Sequence, residues 1–290
     1  MSLTTSELDR LAADFTWTIA QRAQLTDGVW RIDGNNSAAG TFAGWLHQEL
    51  FVIEDQSIWF SWRNRLIGRA LTAVGAPEAL WDVGAGNGVV AKYLQNQGIT
   101  VVAIETGFDG ARSASQRGVR EVICGSLEEL HLPVESLPAV GVFDVLEHLE
   151  HPDELLSEIH RILQPGGILA VTVPAFRLLW SDVDIASGHY RRYRRSELRR
   201  LLVQAGFDLE YLNYHFVAAA LPLACWRSLP WRLGRRRASD KALHQAVHQA
   251  GTSSAPLKTL ARIMMQMEAS LGRHFQFPLG TSILAVARKR

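Results

Sequence analysis

The chain is poor in cysteine: two of its 290 residues, Cys124 and Cys225, lie far apart in the sequence. Two isolated thiols build neither a disulfide framework nor a thiolate metal knuckle. A reducing compartment suits such a chain, so a cytoplasmic location is expected. Cys124 closes the apolar run from Glu121 and reads as a small buried thiol. Excess charge is missing too, since 30 Lys and Arg face 29 Asp and Glu, a formal net charge of +1. No whole-protein field draws nucleic acid, and no nucleic-acid-binding module is present, so no nucleic-acid partner is expected. Long apolar runs are absent. The candidate from Phe216 to Trp226 is too short to span a bilayer. Met1 to Arg10 has neither a basic n-region nor an apolar h-region, so no signal peptide is expected. No internal repeat or low-complexity tract occurs.

What the chain does have is material for a core. Hydrophobic residues make up 47% and charged residues 20%, a balance that excludes global disorder. Three zones follow. Residues 1–76 are rich in aromatics (Phe15, Trp17, Trp30, Phe42, Trp45, Phe51, Trp59, Phe60, Trp62) and read as an N-terminal cap. Glu54 to Val74 has helical periodicity, with Ile58, Trp62, Leu66, Ile67, Ala70, Leu71 and Val74 on one face. Asp27-Gly28 and Asp33-Gly34 are turn signals around a short strand, Val29 to Ile32. Residues 77–215 together with 280–290 form the core zone, and 216–279 is an insertion that is too long for a plain loop. It is expected to hold helices, near Leu257 to Leu271 above all.

In the core zone, apolar strands alternate with helical patterns: strands at Ala79 to Val83, Thr100 to Ile104, Arg120 to Cys124, Ala139 to Asp144 and Ile168 to Val173. The helices are predicted over Gly88 to Gln97, Asp109 to Arg117 and Pro152 to Leu163, the last stopping at Pro165-Gly-Gly167. A further helix, Arg195 to Ala205, precedes a strand to Tyr214, and Thr281 to Ala287 reads as a closing strand. Such alternation predicts an α/β fold with parallel βαβ units and helices on both faces.

The strand at Ala79 runs into Gly84, Gly86 and Gly88, and a helix follows. Glycines there permit a tight turn and close approach of a ligand to the backbone, and the helix amides point at its polar end. The next strand ends in Glu105, roughly 20 positions on, where a carboxylate suits a ribose diol. On these residues alone, a nicotinamide dinucleotide and S-adenosylmethionine (SAM) fit equally.

The string Asp82-Val-Gly-Ala-Gly-Asn-Gly88, then Glu105, Gly125-Ser-Leu-Glu128, Phe143-Asp-Val-Leu-Glu-His148 and Leu163-Gln-Pro-Gly-Gly167 resembles the class I SAM-dependent methyltransferases. The resemblance covers about residues 79–215 plus the closing strand. It implies a Rossmann-like sheet of seven strands, the last antiparallel, and SAM as cofactor. It implies a cofactor site of Asp82, Gly84, Ala85, Gly86, Gly88, Glu105, Ser126, Leu127, Phe143 and His148. In that site Asp82 sets the glycine loop near the methionine amino group and Glu105 holds the ribose. Ser126 and Leu127 flank the adenine, and Phe143 to His148 line the methionine side and the acceptor mouth.

Acceptor chemistry is carried by two further runs. After the fifth strand, Leu179 to Tyr193 contains Trp180, Asp182, His189, Tyr190, Arg192 and Tyr193. A similar Gly-His-x-Arg-Arg-Tyr run recurs in relatives found beside glycan and lipid biosynthesis enzymes. His189 and His148 are the candidate bases, with His151 a lesser one at a helix start. Trp180, Tyr190, Arg192 and Tyr193 are candidate acceptor contacts, the arginines as anion clamps. The second run, 216–237, joins an apolar stretch to Trp231 and Arg235 to Arg237, and reads as a lid, an oligomer contact or a peripheral membrane surface. His244 and His248 stand four apart with no carboxylate to complete a site, so no metal is expected.

The leading expectation is SAM-dependent methyl transfer to a small or carrier-linked metabolite, with oxygen or nitrogen as acceptor atom. The alternatives are a non-catalytic SAM-binding or membrane-surface partner protein and a nicotinamide-dependent dehydrogenase. The oligomeric state is open.

Overall fold

The computed structural model describes residues 23–32, 44–234, 255–272 and 275–290. Phe15, Trp17, Phe42, Asp33, Gly34, Arg235 to Arg237, His244 and His248 lie outside the described residues, as does the side chain of Trp45.

One mixed sheet organises the molecule. Its strands are β1 (Ala23–Thr26), β2 (Val29–Ile32), β3 (Ala79–Val83), β4 (Thr100–Glu105), β5 (Glu121–Cys124), β6 (Leu137–Phe143), β7 (Leu163–Pro174), β8 (Phe207–His215) and β9 (Ser282–Lys289). They are ordered β1-β2-β5-β4-β3-β6-β7-β9-β8. The inner strands are buried on both faces; every residue of β3 is buried. That is why they read as continuous Val- and Ile-rich runs rather than alternating ones. β9 pairs antiparallel with both β7 and β8, the expected hand of the closing strand. The chain order reverses between β4 and β6 at β3, so the crevice beyond the carboxyl ends of those strands is the natural ligand site.

The sheet has nine strands rather than seven. The additional pair is the hairpin β1–β2, closed by Asp27 and Gly28, both at positive φ, the backbone that a two-residue hairpin turn demands. β2 then adds in parallel to β5. The Ala-Gln-Leu-Thr sequence of β1 has no apolar alternation, and three of its four residues face solvent, so hydrophobic periodicity does not mark it.

Helices cover both faces. They include α1 (Gly44–Gln56), α2 (Ile58–Ala73), α3 (Val89–Asn96), α4 (Phe108–Gln116), α5 (Pro152–Ile162), α6 (Asp182–Ala186) and α7 (Arg195–Gln204). α5 shows how sequence makes such a helix. Proline opens it, Asp153 and Glu154 occupy the first turn, and His160 and Arg161 the last, as the helix dipole favours. Leu155, Leu156, Ile159 and Ile162 form its buried stripe. The single helix expected from Glu54 is two: Ser57 intervenes, and its Oγ accepts from the Trp59 amide at 3.2 Å. Pro165 to Gly167 are not a loop after α5 but lie within β7, whose register on β6 jumps between the pairs Leu137–Leu163 and Ala139–Ile168.

The insertion leaves β8 and re-enters β9 at one edge of the sheet, where His215 pairs with Ser282. It contains α8 (Val217–Leu223), a π turn (Ala224–Ser228), α9 (Leu229–Arg232) and α10 (Ala255–Leu271). Glu268 of α10 accepts from the amides of Phe216 (2.6 Å) and Val217 (2.8 Å), fastening the insertion at the carboxyl rim.

Arg117, at the end of α4, ties the N-terminal helices to the core. It is buried, pairs with Glu54 at 2.7 Å, and also meets Asp55, the Phe51 carbonyl and the Asn87 carbonyl. Burial pushes the Glu54 carboxyl up, and Arg117 opposes this. Removing one partner of a buried pair strands the other charge, at a cost of about 3 kcal/mol. Arg117→Met should therefore lower unfolding free energy by about that amount in urea titrations. An unchanged midpoint would show that α1 is held by other contacts.

Candidate functional site

The glycine loop is built by backbone geometry. The amides of Gly84 and Ala85 both donate to the Ile104 carbonyl, at 2.8 and 3.0 Å. Gly84, Gly86 and Gly88 all have positive φ, and their surroundings differ. A Cβ on Gly84 would lie 2.6 Å from Val145, and one on Gly88 would strike Ala114. A Cβ on Gly86 would meet open space. Two glycines thus let the loop pack, and Gly86 leaves its backbone open toward a ligand. Glu105 completes the clasp: one carboxylate oxygen accepts from the Gly86 amide at 2.8 Å, the other from the Gly107 amide at 2.9 Å.

Beneath the loop, Asp82 is buried and its Oδ2 has no hydrogen-bond partner. Burial pushes its pKa up to about 7; Arg63 lowers it and Glu105 raises it. An orphaned buried carboxyl oxygen beside an open glycine wall and a ribose-type carboxylate fits a nucleoside carrying a cationic amino-acid tail. Sequence reasoning missed Arg63. It projects from α2, is buried, pairs with Asp144, and lies under the rings of Trp59 and Phe60 at 5.0 and 5.2 Å. Its signal was a lone cation within the buried stripe of α2, next to Trp62.

Other expected cofactor residues serve mixed roles. The Ser126 amide donates to Glu129 at 2.7 Å, shaping the turn after β5, while Leu127 is buried in the core. Phe143 is a packing residue: its ring occupies the space above Gly141, where a Cβ would come within 2.4 Å.

The loop after β7 assembles a second polar cluster. Asp184 is fully buried. It caps its own helix by accepting from the Ser181 amide at 2.9 Å, contacts His189 Nδ1 at 3.0 Å, and receives a forked bond from Arg192 at 2.5 and 3.1 Å. Burial works against its charge, but His189 and Arg192 outweigh burial and hold the carboxyl below its ordinary range. Asp184, which the sequence does not single out, is the orienting group for His189. The His189 ring stands edge-on to His148, centroids 4.7 Å apart.

His148 and Glu147 come from the 3₁₀ turn Leu146–His148. Burial, then the neighbouring His189, lowers the His148 pKa to about 4. Burial, then Asp144, raises the Glu147 carboxyl well above its usual range, and its Oε2 has no partner. Glu147, His148 and His189 each offer a ligand atom within 4.8 Å of one another. That spacing could hold a divalent cation, which the His244 and His248 spacing did not anticipate.

Two expected acceptor contacts are corrected. Arg192 is committed to Asp184 rather than to a substrate anion, because its guanidinium is spent on that buried carboxylate. Tyr193 is buried and donates to the Leu146 carbonyl at 3.1 Å, bracing the 3₁₀ turn from behind. Trp180 is half-buried and Tyr190 exposed, so both remain at the rim. His151 is an exposed helix start, as expected.

An open α/β sheet with reversed order at β3, a glycine loop clasped by a strand-end carboxylate, and an acceptor-side histidine pair define a Rossmann-like methyltransferase domain. Residues 81–171 match the model of the methyltransferase domain family. A probable SAM-dependent methyltransferase of Mycolicibacterium smegmatis is 30% identical over 164 residues, 54% of this chain and 62% of that protein. A ubiquinone biosynthesis O-methyltransferase of Psychrobacter arcticus is 30% identical over 164 residues, 48% of this chain and 64% of that protein. The matches thus span less than two thirds of these relatives' own length. Among solved structures, a SAM-dependent methyltransferase from Thermotoga maritima shares the fold (TM-score 0.52, 17% identity, 84% of this chain and 94% of that one). So does a Haloferax volcanii methyltransferase solved with its activator (TM-score 0.52, 17% identity, 84% and 93%). Residues 81–171 thus carry a methyltransferase domain, and the chain is similar over about half its length to SAM-dependent methyltransferases.

Glu105→Ala removes the loop clasp and the carboxylate expected to meet the ribose. Its SAM dissociation constant should rise at least about tenfold, the equivalent of one lost charge-assisted hydrogen bond; equal affinity would show that neither role matters. His148 generates a stability prediction. Between its folded pKa of about 4 and the ordinary 6.5, the unfolded chain holds the extra proton, so stability falls as pH drops through that window. Thermal scans of His148→Asn should show a shallower loss from pH 6.5 to 4 than the parent, and parallel curves would contradict the burial assignment.

Proposed function

We propose that this chain transfers the methyl group of SAM to a hydroxyl of a small or carrier-linked acceptor, with His189 as general base. The observation that carries this reading is the buried Asp184 facing His189 Nδ1 at 3.0 Å. A carboxylate there fixes the tautomer with the proton on Nδ1, which leaves Nε2 able to accept one. Bound SAM supplies an electrophilic methyl group on a sulfonium, open to in-line attack.

The chain's own residues handle the rest. The glycine loop and Glu105 bind and orient, and Arg63 and Asp82 set the charge beneath the loop. A hydroxyl is a weak nucleophile until its proton leaves. When bound, SAM would supply the methyl carbon to the acceptor oxygen with the carbon–sulfur electron pair leaving on sulfur, and His189 would take the hydroxyl proton. Asp184 stabilises the resulting imidazolium. His148, with its pKa near 4, stays neutral at physiological pH and adds no competing charge. Trp180 and Tyr190 at the rim offer stacking surface to the acceptor.

Two relatives support oxygen as the acceptor atom: the ubiquinone biosynthesis O-methyltransferase and a malonyl-[acyl-carrier protein] O-methyltransferase of Enterobacter lignolyticus, 25% identical over 157 residues. The second name carries a carrier-linked acceptor.

His189→Ala should lower kcat by about 10²–10⁴-fold, the usual contribution of a general base, while SAM affinity measured by calorimetry stays within about twofold of the parent. Asp184→Asn should lower kcat as well and shift the acidic limb of the pH–rate profile, where a general base is lost by protonation. Undiminished transfer in both variants would eliminate His189 as the base.

A further inference from the structure

The insertion distributes charge unlike the rest of the chain. Between residues 216 and 279, nine Lys and Arg stand against two carboxylates, Asp240 and Glu268, whereas the whole chain balances 30 against 29. Of those two acids, Glu268 is buried and occupied by backbone amides. The described surface of the insertion is therefore free of exposed acid, while Arg232 and Arg262 are exposed.

Large apolar side chains of the insertion are exposed as well. Leu221, Trp226 and Leu233 are 73%, 75% and 70% exposed, and Leu229, Ile263 and Met267 are also exposed. A lid closed over a substrate would bury such groups. The π turn carrying Trp226 packs against the Arg177–Leu179 turn, whose Arg177 and Leu178 are likewise exposed. The basic apolar surface thus adjoins the loop that carries His189. No helix among the described residues is long and apolar enough to cross a membrane.

We propose that the insertion docks on an anionic lipid bilayer surface, with Trp226, Leu221 and Leu233 entering the headgroup layer and Arg232 and Arg262 meeting lipid phosphates. Exposed apolar groups in a cationic setting are what an interfacial contact requires, since burial of the apolar face and attraction to anionic lipid add together. A second copy of this chain is the poorer occupant. In a twofold interface the same patch meets itself, which would set arginine against arginine. The lipid contact rests on this surface alone and does not depend on the methyl-transfer reading.

The test is co-sedimentation of the full chain with two vesicle preparations, phosphatidylcholine alone and phosphatidylcholine mixed with phosphatidylglycerol. Binding should be confined to the anionic vesicles and weaken as salt is raised. Arg232→Glu should reduce partitioning about tenfold, from the loss of one favourable cation at the surface and its replacement by an anion. Trp226→Ser with Leu221→Ser should abolish it, with SAM affinity and circular dichroism unchanged. Equal binding to both vesicles, or to neither, overturns the proposal. So does a concentration-dependent dimer that Trp226→Ser dissolves, or retention by an acidic carrier protein without retention by anionic vesicles.

Discussion

Two neighbouring amides, those of Gly84 and Ala85, converge on one carbonyl, that of Ile104, and the next glycine donates to the Glu105 carboxylate. This strap between the ends of β3 and β4 is the constraint on which the rest of the site depends. It demands positive φ at Gly84 and Gly86, which L side chains adopt only with strain. It brings Glu105 under the loop, and it fixes the start of α3 against α4 through the glycine contact at Ala114. Asp82, Arg63 and Asp144 lie below: Arg63 pairs with Asp144, and burial pushes the Asp82 carboxyl up. The cofactor half of the site is thus made mainly of backbone, and the side chains adjust its charge.

The acceptor half is made differently. It hangs on one buried carboxylate, Asp184, which caps its own helix, orients His189 and anchors Arg192. A single group with these duties ties the loop down where it meets the histidines, and Trp180 and Tyr190 stand at the rim. Tyr193, bonded to Leu146, links this loop to the turn that carries His148. The two histidines are therefore positioned from two separate elements, β6 and β7, by contacts that run behind the cleft. Preorganisation of this kind lets a base act without the cost of reorienting during the reaction.

Much of this was legible in the sequence where one residue's type answers to one local requirement. The buried strands announced themselves as Val- and Ile-rich runs, the glycine loop by its spacing, and Glu105 by its place at a strand end. Strand β1 was not legible, since an edge strand with solvent on most residues needs no apolar alternation. Arg63 and Asp184 were not legible as site residues because their roles are set by burial, and chain position does not report which charge is buried. Arg192 and Tyr193 illustrate the converse. Their place beside His189 suggested substrate contact, yet a side chain's direction depends on partners far away in the chain: Asp184 for one, the Leu146 carbonyl for the other. The insertion's helix at Ala255–Leu271 was expected because the connection is too long for a plain loop, but its segregation of positive charge becomes meaningful only once Glu268 is seen to be buried.

The central claim is that the strapped glycine loop and Glu105 form a site for SAM. Titration calorimetry of the full chain with SAM, S-adenosylhomocysteine and NAD in turn tests it most directly. The account predicts saturable binding of one molecule each of SAM and S-adenosylhomocysteine, with no heat from NAD. Saturable binding of NAD without binding of SAM would contradict it.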